Sequence, residues 1–178
     1  MEIILAENHG FCYGVKRAVE MANEAANGKG KSYTLGPIIH NPQVVNRLES
    51  KGVSPIQEVS DIDEGTMIIR SHGVGPAIYE EAEEKGLAIV DATCPHVKKA
   101  QQDAKSVIED GMTLVILGEK NHPEVKSINL WANNKGIIIE DEDSAKNLQV
   151  VKKMGVVVQT TFSQFKFNSI IEILEKKS

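Results

Sequence analysis

Both cysteines of this chain follow a hydrophobic run and precede a segment of helical period. Cys12 lies in the glycine-flanked segment Gly10-Phe11-Cys12-Tyr13-Gly14, and Cys94 lies in Ala92-Thr93-Cys94-Pro95. A helix N-terminus lowers the pKa of a cysteine thiol and favours the thiolate. A thiolate pair is a soft ligand set that suits zinc or an iron–sulfur cluster. The alternative is two buried, inert thiols, because a free cysteine often behaves as a small hydrophobic residue.

Histidines occupy the corresponding place after three other strand-like runs. One of them, His72, precedes Gly73-Val74-Gly75, and glycines allow backbone N–H groups to approach a phosphate closely. An imidazole can bind an anion, bind a metal or transfer a proton, so the residue type alone does not fix its role. A single histidine is more often a capping or packing residue, but the shared position of three indicates one site. The three residues are His40, His72 and His122.

A carboxylate and a hydroxyl pair complete the set of candidate residues. Glu124 follows His122-Pro123 at the predicted start of a helix, where a bound substrate could meet it as a proton donor. The alternative for Glu124 is a first-turn acid that complements the helix dipole. Thr160 and Thr161 end the last strand-like run. We expect one hydroxyl to cap the next helix and the other to contact a substrate hydroxyl.

The elements around these residues predict an α/β fold with parallel sheets covered by helices, because β-branched runs alternate with segments of helical period. The carboxyl ends of parallel strands form a ligand crevice, and helix N-termini there attract anions. The predicted strands are 3–5, 32–35, 66–70, 88–91, 113–117, 136–139 and 155–159. The predicted helices are 15–26, 42–51, 77–85, 96–109, 124–133 and 164–176.

The order of strand, ligand-bearing turn and helix occurs in two sets along the chain. This order predicts two similar α/β units with a boundary near Pro95 and a site in the cleft between them. The first unit, residues 1–95, contains Cys12, His40, His72 and Cys94. The second unit, residues 96–178, contains His122, Glu124 and Thr160.

Composition excludes several classes of partner. The chain has 178 residues, is 41% hydrophobic and can therefore bury a substantial core. Its net charge of -5 and its lack of a long Lys/Arg run argue against a nucleic-acid or anionic-membrane partner. The sequence shows neither a signal-peptide pattern nor an apolar run of transmembrane length. We therefore expect a cytoplasmic protein.

Six segments in order resemble one family closely, the iron–sulfur reductases that convert 4-hydroxy-3-methylbut-2-enyl diphosphate into isopentenyl and dimethylallyl diphosphate. These enzymes act last in the methylerythritol phosphate pathway of isoprenoid biosynthesis. The matching segments are Gly10-Phe11-Cys12, Gly36-Pro37-Ile38-Ile39-His40-Asn41, Arg70-Ser71-His72-Gly73, Asp91-Ala92-Thr93-Cys94-Pro95, His122-Pro123-Glu124 and Gln159-Thr160-Thr161.

The resemblance implies a role for each candidate residue. Cys12 and Cys94 would be ligands of a four-iron, four-sulfur cluster whose unique iron binds the substrate hydroxyl. The diphosphate would be held by His40, His72 and His122. Glu124 would donate the proton with which the hydroxyl leaves as water, and Thr160 would place the substrate and relay that proton. A reduced donor such as ferredoxin or flavodoxin would supply two electrons.

The resemblance also implies a fold of three α/β units with three cluster cysteines, whereas this sequence contains two cysteines. We therefore expect the chain to correspond to the first two units, as a truncated form of the enzyme. Two other functions compatible with the residues are a zinc-dependent hydrolase, since thiolate and imidazole also bind zinc, and an inactive phosphate-binding module.

Overall fold

The computed structural model describes residues 2–7, 9–28 and 30–177. Among these residues, parallel strands alternate with helices, as the sequence predicts. The strands are β1 (Ser32–Leu35), β2 (Val53–Ile56), β3 (Thr66–Ile69), β4 (Ala88–Asp91), β5 (Thr113–Leu117), β6 (Ile137–Ile139) and β7 (Met154–Val158). The α-helices are α1 (Tyr13–Ala26), α2 (Pro42–Glu49), α3 (Pro76–Glu84), α4 (Pro95–Glu109), α5 (Pro123–Trp131), α6 (Glu142–Asn147) and α7 (Gln164–Leu174). Short 3₁₀ helices cover Val59–Asp61 and Glu175–Lys177.

The first sheet has the strand order β2-β1-β3-β4, and every neighbouring pair is parallel. The chain passes from β1 to β2 on one side and then returns to place β3 on the other side of β1. Connections therefore leave β1 and β3 in opposite directions. This reversal is a topological switch point, where open α/β sheets leave a crevice at the carboxyl ends of the strands.

The second sheet has a similar topology, with the strand order β6-β5-β7 and parallel pairing. Here β6 lies on one side of β5, and β7 lies on the other. The second switch point therefore falls between β5 and β7.

Helices cover both faces of each sheet because successive strand residues point to opposite faces. Ile68 is buried with α1 and α2, whereas Met67 and Ile69 are buried on the opposite face with α3. In the second sheet, Ile116 packs with α4 and α5, and Leu117 packs with α6 and α7. Since the faces are covered, the strand ends are the places left for a ligand.

The helix α4 packs on the second sheet, although it begins directly after the turn that contains Cys94. Its residues Ala100 and Ala104 lie in the same buried cluster as Leu114 and Ile116 of β5. This packing agrees with a boundary near Pro95, and the division into units 1–95 and 96–178 stays a prediction. No α-helix within the described ranges is long and apolar enough to span a bilayer.

The predicted strand at residues 3–5 is wrong. The segment forms no strand, and Ile3, Ile4 and Leu5 are 74%, 83% and 77% exposed. A strand needs a neighbour for its N–H and C=O groups, and no strand among the described residues pairs with this segment. The hydrophobic pattern is therefore insufficient by itself to form one.

Two short elements were absent from the sequence prediction. Strand β2 contains Pro55, which argues against a central strand but is tolerated here because β2 lies at the sheet edge. Helix α6 has only 6 residues, and its start is a capping box between Asp141 and Ser144. Strand β2 forms one edge of the first sheet, and Ala145 of α6 lies in the same buried cluster as Leu117 and Ile139 of the second sheet.

Candidate active site

The three candidate histidines form one cluster. His40 follows β1, His72 follows β3 and His122 follows β5. The ring centroids of His40 and His72 are 4.8 Å apart, and those of His72 and His122 are 5.4 Å apart. One nitrogen from each ring lies within 4.8 Å of the others. Side chains from both sheets therefore meet at one point, as the sequence predicts.

His72 is the most perturbed member of the cluster. Burial, together with the charges of His40, His122 and Arg70, lowers the pKa of His72 to about 4. The ring is therefore neutral near pH 7. Its Nδ1 is buried and has no hydrogen-bond partner among the residues that the structure describes. A ligand that enters the cluster can supply that partner.

His122 has a fixed orientation because it is the N-cap residue of α5. Its Nδ1 accepts a hydrogen bond from the backbone N–H of Glu124 at 3.2 Å. When the ring is neutral, Nε2 therefore carries the proton and can donate to an anion. A metal bound at Nε2 would have to displace that proton. This geometry favours an anion over a metal at the cluster.

Glu124 and Thr160 form a tight pair across the second switch point. The Thr160 backbone N–H donates to Glu124 Oε1 at 2.6 Å, and the Thr160 hydroxyl lies 2.8 Å from Glu124 Oε2. Glu124 is only 2% exposed, whereas Thr160 is exposed. The exposed Thr160 hydroxyl therefore connects the buried carboxyl group to the surface.

The expectation that a threonine hydroxyl caps α7 is wrong. The N-cap of α7 is Ser163, without a side-chain cap bond, and Thr161 Oγ1 instead accepts a hydrogen bond from Gln159 Nε2 at 2.8 Å. The other end of the buried Gln159 amide accepts from the Glu119 N–H at 2.9 Å. Gln159 thus ties the turn after β7 to the turn after β5, a role that the sequence analysis missed.

Ser127 is a second supporting residue that the sequence does not reveal. Its buried hydroxyl lies 2.8 Å from the His72 carbonyl oxygen and 2.9 Å from the Glu124 carbonyl oxygen, and it accepts from Gln101 Nε2 at 3.2 Å. It therefore connects α4 and α5 to the turn that contains His72. Only the tertiary fold brings these groups together.

The cysteines lie at neighbouring helix N-termini. Both are free thiols; Cys12 is the exposed N-cap residue of α1, and Cys94 is the half-buried N-cap residue of α4. A Cβ atom added to Gly14 would lie 2.5 Å from Cys94 Sγ. Helix α1 can therefore approach the Cys94 sulfur only because Gly14 has no side chain.

The turn that presents Cys94 is held from several directions. The Cys94 N–H donates to the carbonyl oxygen of Ser71 at 2.9 Å, which places this turn beside the His72 turn. Asp91 Oδ1 accepts from the Thr93 N–H at 2.9 Å, and Arg17 of α1 donates to the Thr93 carbonyl oxygen at 3.2 Å. Contacts therefore connect the Cys94 turn, the histidine cluster and the Glu124–Thr160 pair.

The remaining two histidines lie outside this set of contacts. His9 Nδ1 bonds locally to the carbonyl oxygen of Ala6 at 2.8 Å. His96 is exposed in the first turn of α4.

The family model for the LytB protein matches residues 3–178. The chain belongs to the LytB family. Among the LytB relatives, the 4-hydroxy-3-methylbut-2-enyl diphosphate reductase of Geotalea uraniireducens is 49% identical over 97% of this chain and 61% of the relative. The reductase of Geobacter metallireducens is also 49% identical, over 99% of this chain and 63% of the relative.

Solved LytB-type structures agree with the fold. The E-1-hydroxy-2-methyl-but-2-enyl-4-diphosphate reductase of Plasmodium falciparum matches with a TM-score of 0.90 and 32% identity, over 96% of this chain and 55% of that chain. A structure of (E)-4-hydroxy-3-methyl-but-2-enyl diphosphate reductase matches with a TM-score of 0.80 and 44% identity, over 97% of this chain and 63% of that chain. The chain thus spans less than two thirds of the length of these relatives.

Proposed function

We propose that this chain supplies the cysteine, diphosphate-binding and proton-donating residues of a 4-hydroxy-3-methylbut-2-enyl diphosphate reductase. In the reaction, the C–O bond of the substrate hydroxyl breaks, two electrons and two protons are consumed, and water leaves. The product is isopentenyl or dimethylallyl diphosphate. The observation that supports this proposal most strongly is the direct connection between the histidine cluster and the Glu124–Thr160 pair through the His122–Glu124 hydrogen bond.

The histidine cluster is the proposed diphosphate site. His122 offers an Nε2–H group, and the buried Nδ1 of His72 lacks a partner among the described residues. A phosphate oxygen next to His72 would also favour its protonated form, because an opposite charge stabilises imidazolium. His40 is exposed at the mouth of the cluster and completes the donor set.

The Glu124–Thr160 pair is the proposed proton source. In the protonated state, Glu124 Oε2 donates to Thr160 Oγ1, and the exposed Thr160 hydroxyl donates in turn to the leaving hydroxyl of the substrate. Because Glu124 is buried, the acid is reached only through a defined hydrogen bond and does not exchange freely with water. This arrangement meets the requirement that a general acid first be within hydrogen-bond reach.

The thiol pair fits an iron–sulfur cluster. Both cysteines are free, both are N-cap residues, and a glycine leaves room beside the Cys94 sulfur. Cys12 and Cys94 would hold two irons of a four-iron, four-sulfur cluster through their thiolates. When bound, the cluster supplies the two electrons that a reduced ferredoxin or flavodoxin delivers.

A zinc hydrolase and an inactive phosphate-binding module are not favoured by the family relationship. The hydrogen bond at His122 Nδ1 also argues against zinc at the histidine cluster.

The test uses the full-length native protein, which is reconstituted anaerobically. Iron and sulfide are then assayed, and turnover is measured with a reduced viologen as the electron donor. We expect iron and acid-labile sulfide in equal amounts and two viologens oxidised per isopentenyl or dimethylallyl diphosphate formed. Bound zinc in place of iron, or phosphate release that needs no reductant, would overturn the proposal.

A further inference from the structure

A cleft of about 360 Å³ lies beside the histidine cluster, between the two sheets. Its lining includes Gly36 after β1, Arg70 after β3, and Lys126 and Ser127 of α5. None of the three clustered histidines lines it, and its lining residues include no aspartate or glutamate. In a chain with a net charge of -5, this is a local concentration of positive charge without a carboxylate.

The Arg70 guanidinium has no partner within the described part of the chain. Its Nε atom is buried without a hydrogen-bond partner, and its side chain makes no ion pair or hydrogen bond to any residue that the structure describes. Burial lowers the pKa of Arg70, but a guanidinium remains charged at any pH at which the protein is folded. Buried charges in proteins are normally paired, because desolvation without compensation is costly. The described residues therefore supply no anion to the half-buried Arg70.

Gly36 makes the recess that contains the guanidinium. Its φ is +69°, which favours glycine, and a Cβ atom there would lie 2.8 Å from Arg70 Nη1. The backbone after β1 thus lies close to the cation, and a side chain at Gly36 would have to displace the end of the Arg70 side chain. Lys126, on α5, also lines the cleft and makes no ion pair with the described residues.

We propose that this cleft is a second anion site, separate from the histidine cluster, that binds a phosphate-class anion between Arg70 and Lys126. Arg70 can donate two parallel N–H groups to one phosphate, and Lys126 adds a point charge from the second unit. The anion is either free phosphate or pyrophosphate, or the diphosphate of a substrate on its way to the histidines. The anion site goes beyond the reductase function, and only the substrate source of the anion rests on that function.

Calorimetric titration of the chain with orthophosphate and with pyrophosphate tests the proposal. We compare the wild type with Arg70→Gln, Lys126→Gln and His40→Asn, and Lys152→Gln serves as an exposed charge control. We expect two pyrophosphate sites in the wild type. Arg70→Gln should weaken one of them by at least about tenfold, because hydrogen bonds from a charged group to an anion are stronger than those between neutral groups.

The two sites are distinguished by which variant affects them. His40→Asn should weaken the other site and leave the Arg70 site unchanged. Lys126→Gln should weaken the Arg70 site without lowering the melting temperature, since Lys126 is exposed. Orthophosphate at the Arg70 site identifies a free-anion site, whereas pyrophosphate alone indicates a substrate route. The proposal of a separate site is overturned if Arg70→Gln leaves the affinity and stoichiometry unchanged. It is also overturned if Arg70→Gln and His40→Asn abolish the same single site. If His40→Asn has no effect, the proposed diphosphate role of the histidines fails instead.

Discussion

The two switch points of the molecule have the same topology, but their buried polar groups differ in whether they have hydrogen-bond partners. Between β1 and β3, His72 Nδ1 and Arg70 Nε are buried without partners among the described residues. Between β5 and β7, both oxygens of the buried Glu124 carboxyl group are bonded to Thr160. The first switch point leaves polar groups for a ligand to satisfy. The second already pairs an acid with the hydroxyl that would receive its proton.

This difference separates binding from proton transfer. A buried polar group without a partner costs about 1–3 kcal/mol, which a ligand that supplies the partner recovers as affinity. The satisfied pair at the second switch point offers a ligand little binding energy. In the proposed function, the pair instead supplies a fixed path for the proton. We therefore expect substitutions at the first switch point to change affinity and substitutions at the second to change rate.

The largest expected effect is the loss of iron from the protein at its native length. Cys94 belongs to the first switch point through its bond to Ser71, so Cys94→Ser should remove the bound iron but leave the Glu124–Thr160 pair intact. Thiolate is the ligand that the iron requires. Iron content after anaerobic reconstitution measures the effect, with circular dichroism as the control for folding. An unchanged iron content would remove Cys94 from the ligand set.

The next effect concerns the hydroxyl at the second switch point. Thr160→Val keeps the shape of the side chain but removes the proposed relay, so turnover should slow by roughly a hundredfold, the lower range for a positioned proton donor. Thr160→Ser keeps the hydroxyl and is the matched control, with turnover near that of the wild type. Equal rates for the valine and serine variants would show that the hydroxyl transfers no proton.

The smallest effect is a pH dependence of stability at the first switch point. His72 has a pKa of about 4 in the folded protein and about 6.5 when unfolded. Between these values the unfolded chain binds more protons, so the free energy of unfolding falls as the pH falls from about 6.5 to about 4. The loss is at most about 1.4 kcal/mol per pH unit, and less because solvent screens the partly exposed ring.

The variant His72→Gln removes this titration and isolates its effect. Urea unfolding of the wild type and His72→Gln across this pH range should give curves that diverge toward low pH, with the wild type losing more stability. His96→Gln removes an exposed ring outside the cluster, so it is the control and should not reproduce the divergence. If the His72→Gln and wild-type curves stay parallel, His72 is not held neutral by burial.

The sequence predicts the site residues better than it predicts the residues that hold them in place. His40, His72 and His122 follow strands in the sequence, and parallel strands must end at a common edge, so their proximity follows from the pattern. The contacts of Ser127 with the His72 turn, and of Arg17 with the Thr93 carbonyl group, join residues far apart in the chain. They depend on how the two sheets and α1 pack, which no local pattern encodes. The failed strand at 3–5 has the same origin, since strand formation depends on a neighbour.

The turns that contain Cys12 and Cys94 show the same limit of prediction from local sequence. The segment around Cys12 and Gly14 indicates a tight helix start, but the need for glycine comes from Cys94 Sγ on a different helix. Similarly, the capping role expected of Thr160 or Thr161 followed from local pattern alone. It is wrong because the Thr160 hydroxyl contacts Glu124 on the distant helix α5, and the Thr161 hydroxyl accepts a hydrogen bond from Gln159 two residues earlier.

The measurement that tests the separation of binding and proton transfer most directly is anaerobic single-turnover reduction by Glu124→Gln as a function of substrate concentration. In the protein at its native length, we expect the saturating rate to fall by roughly a hundredfold or more. The concentration that gives half of that rate should stay close to the wild-type value, since glutamine preserves the shape of the side chain and the histidines remain. A saturating rate equal to that of the wild type would contradict the account and leave Glu124 as a first-turn acid that only stabilises α5.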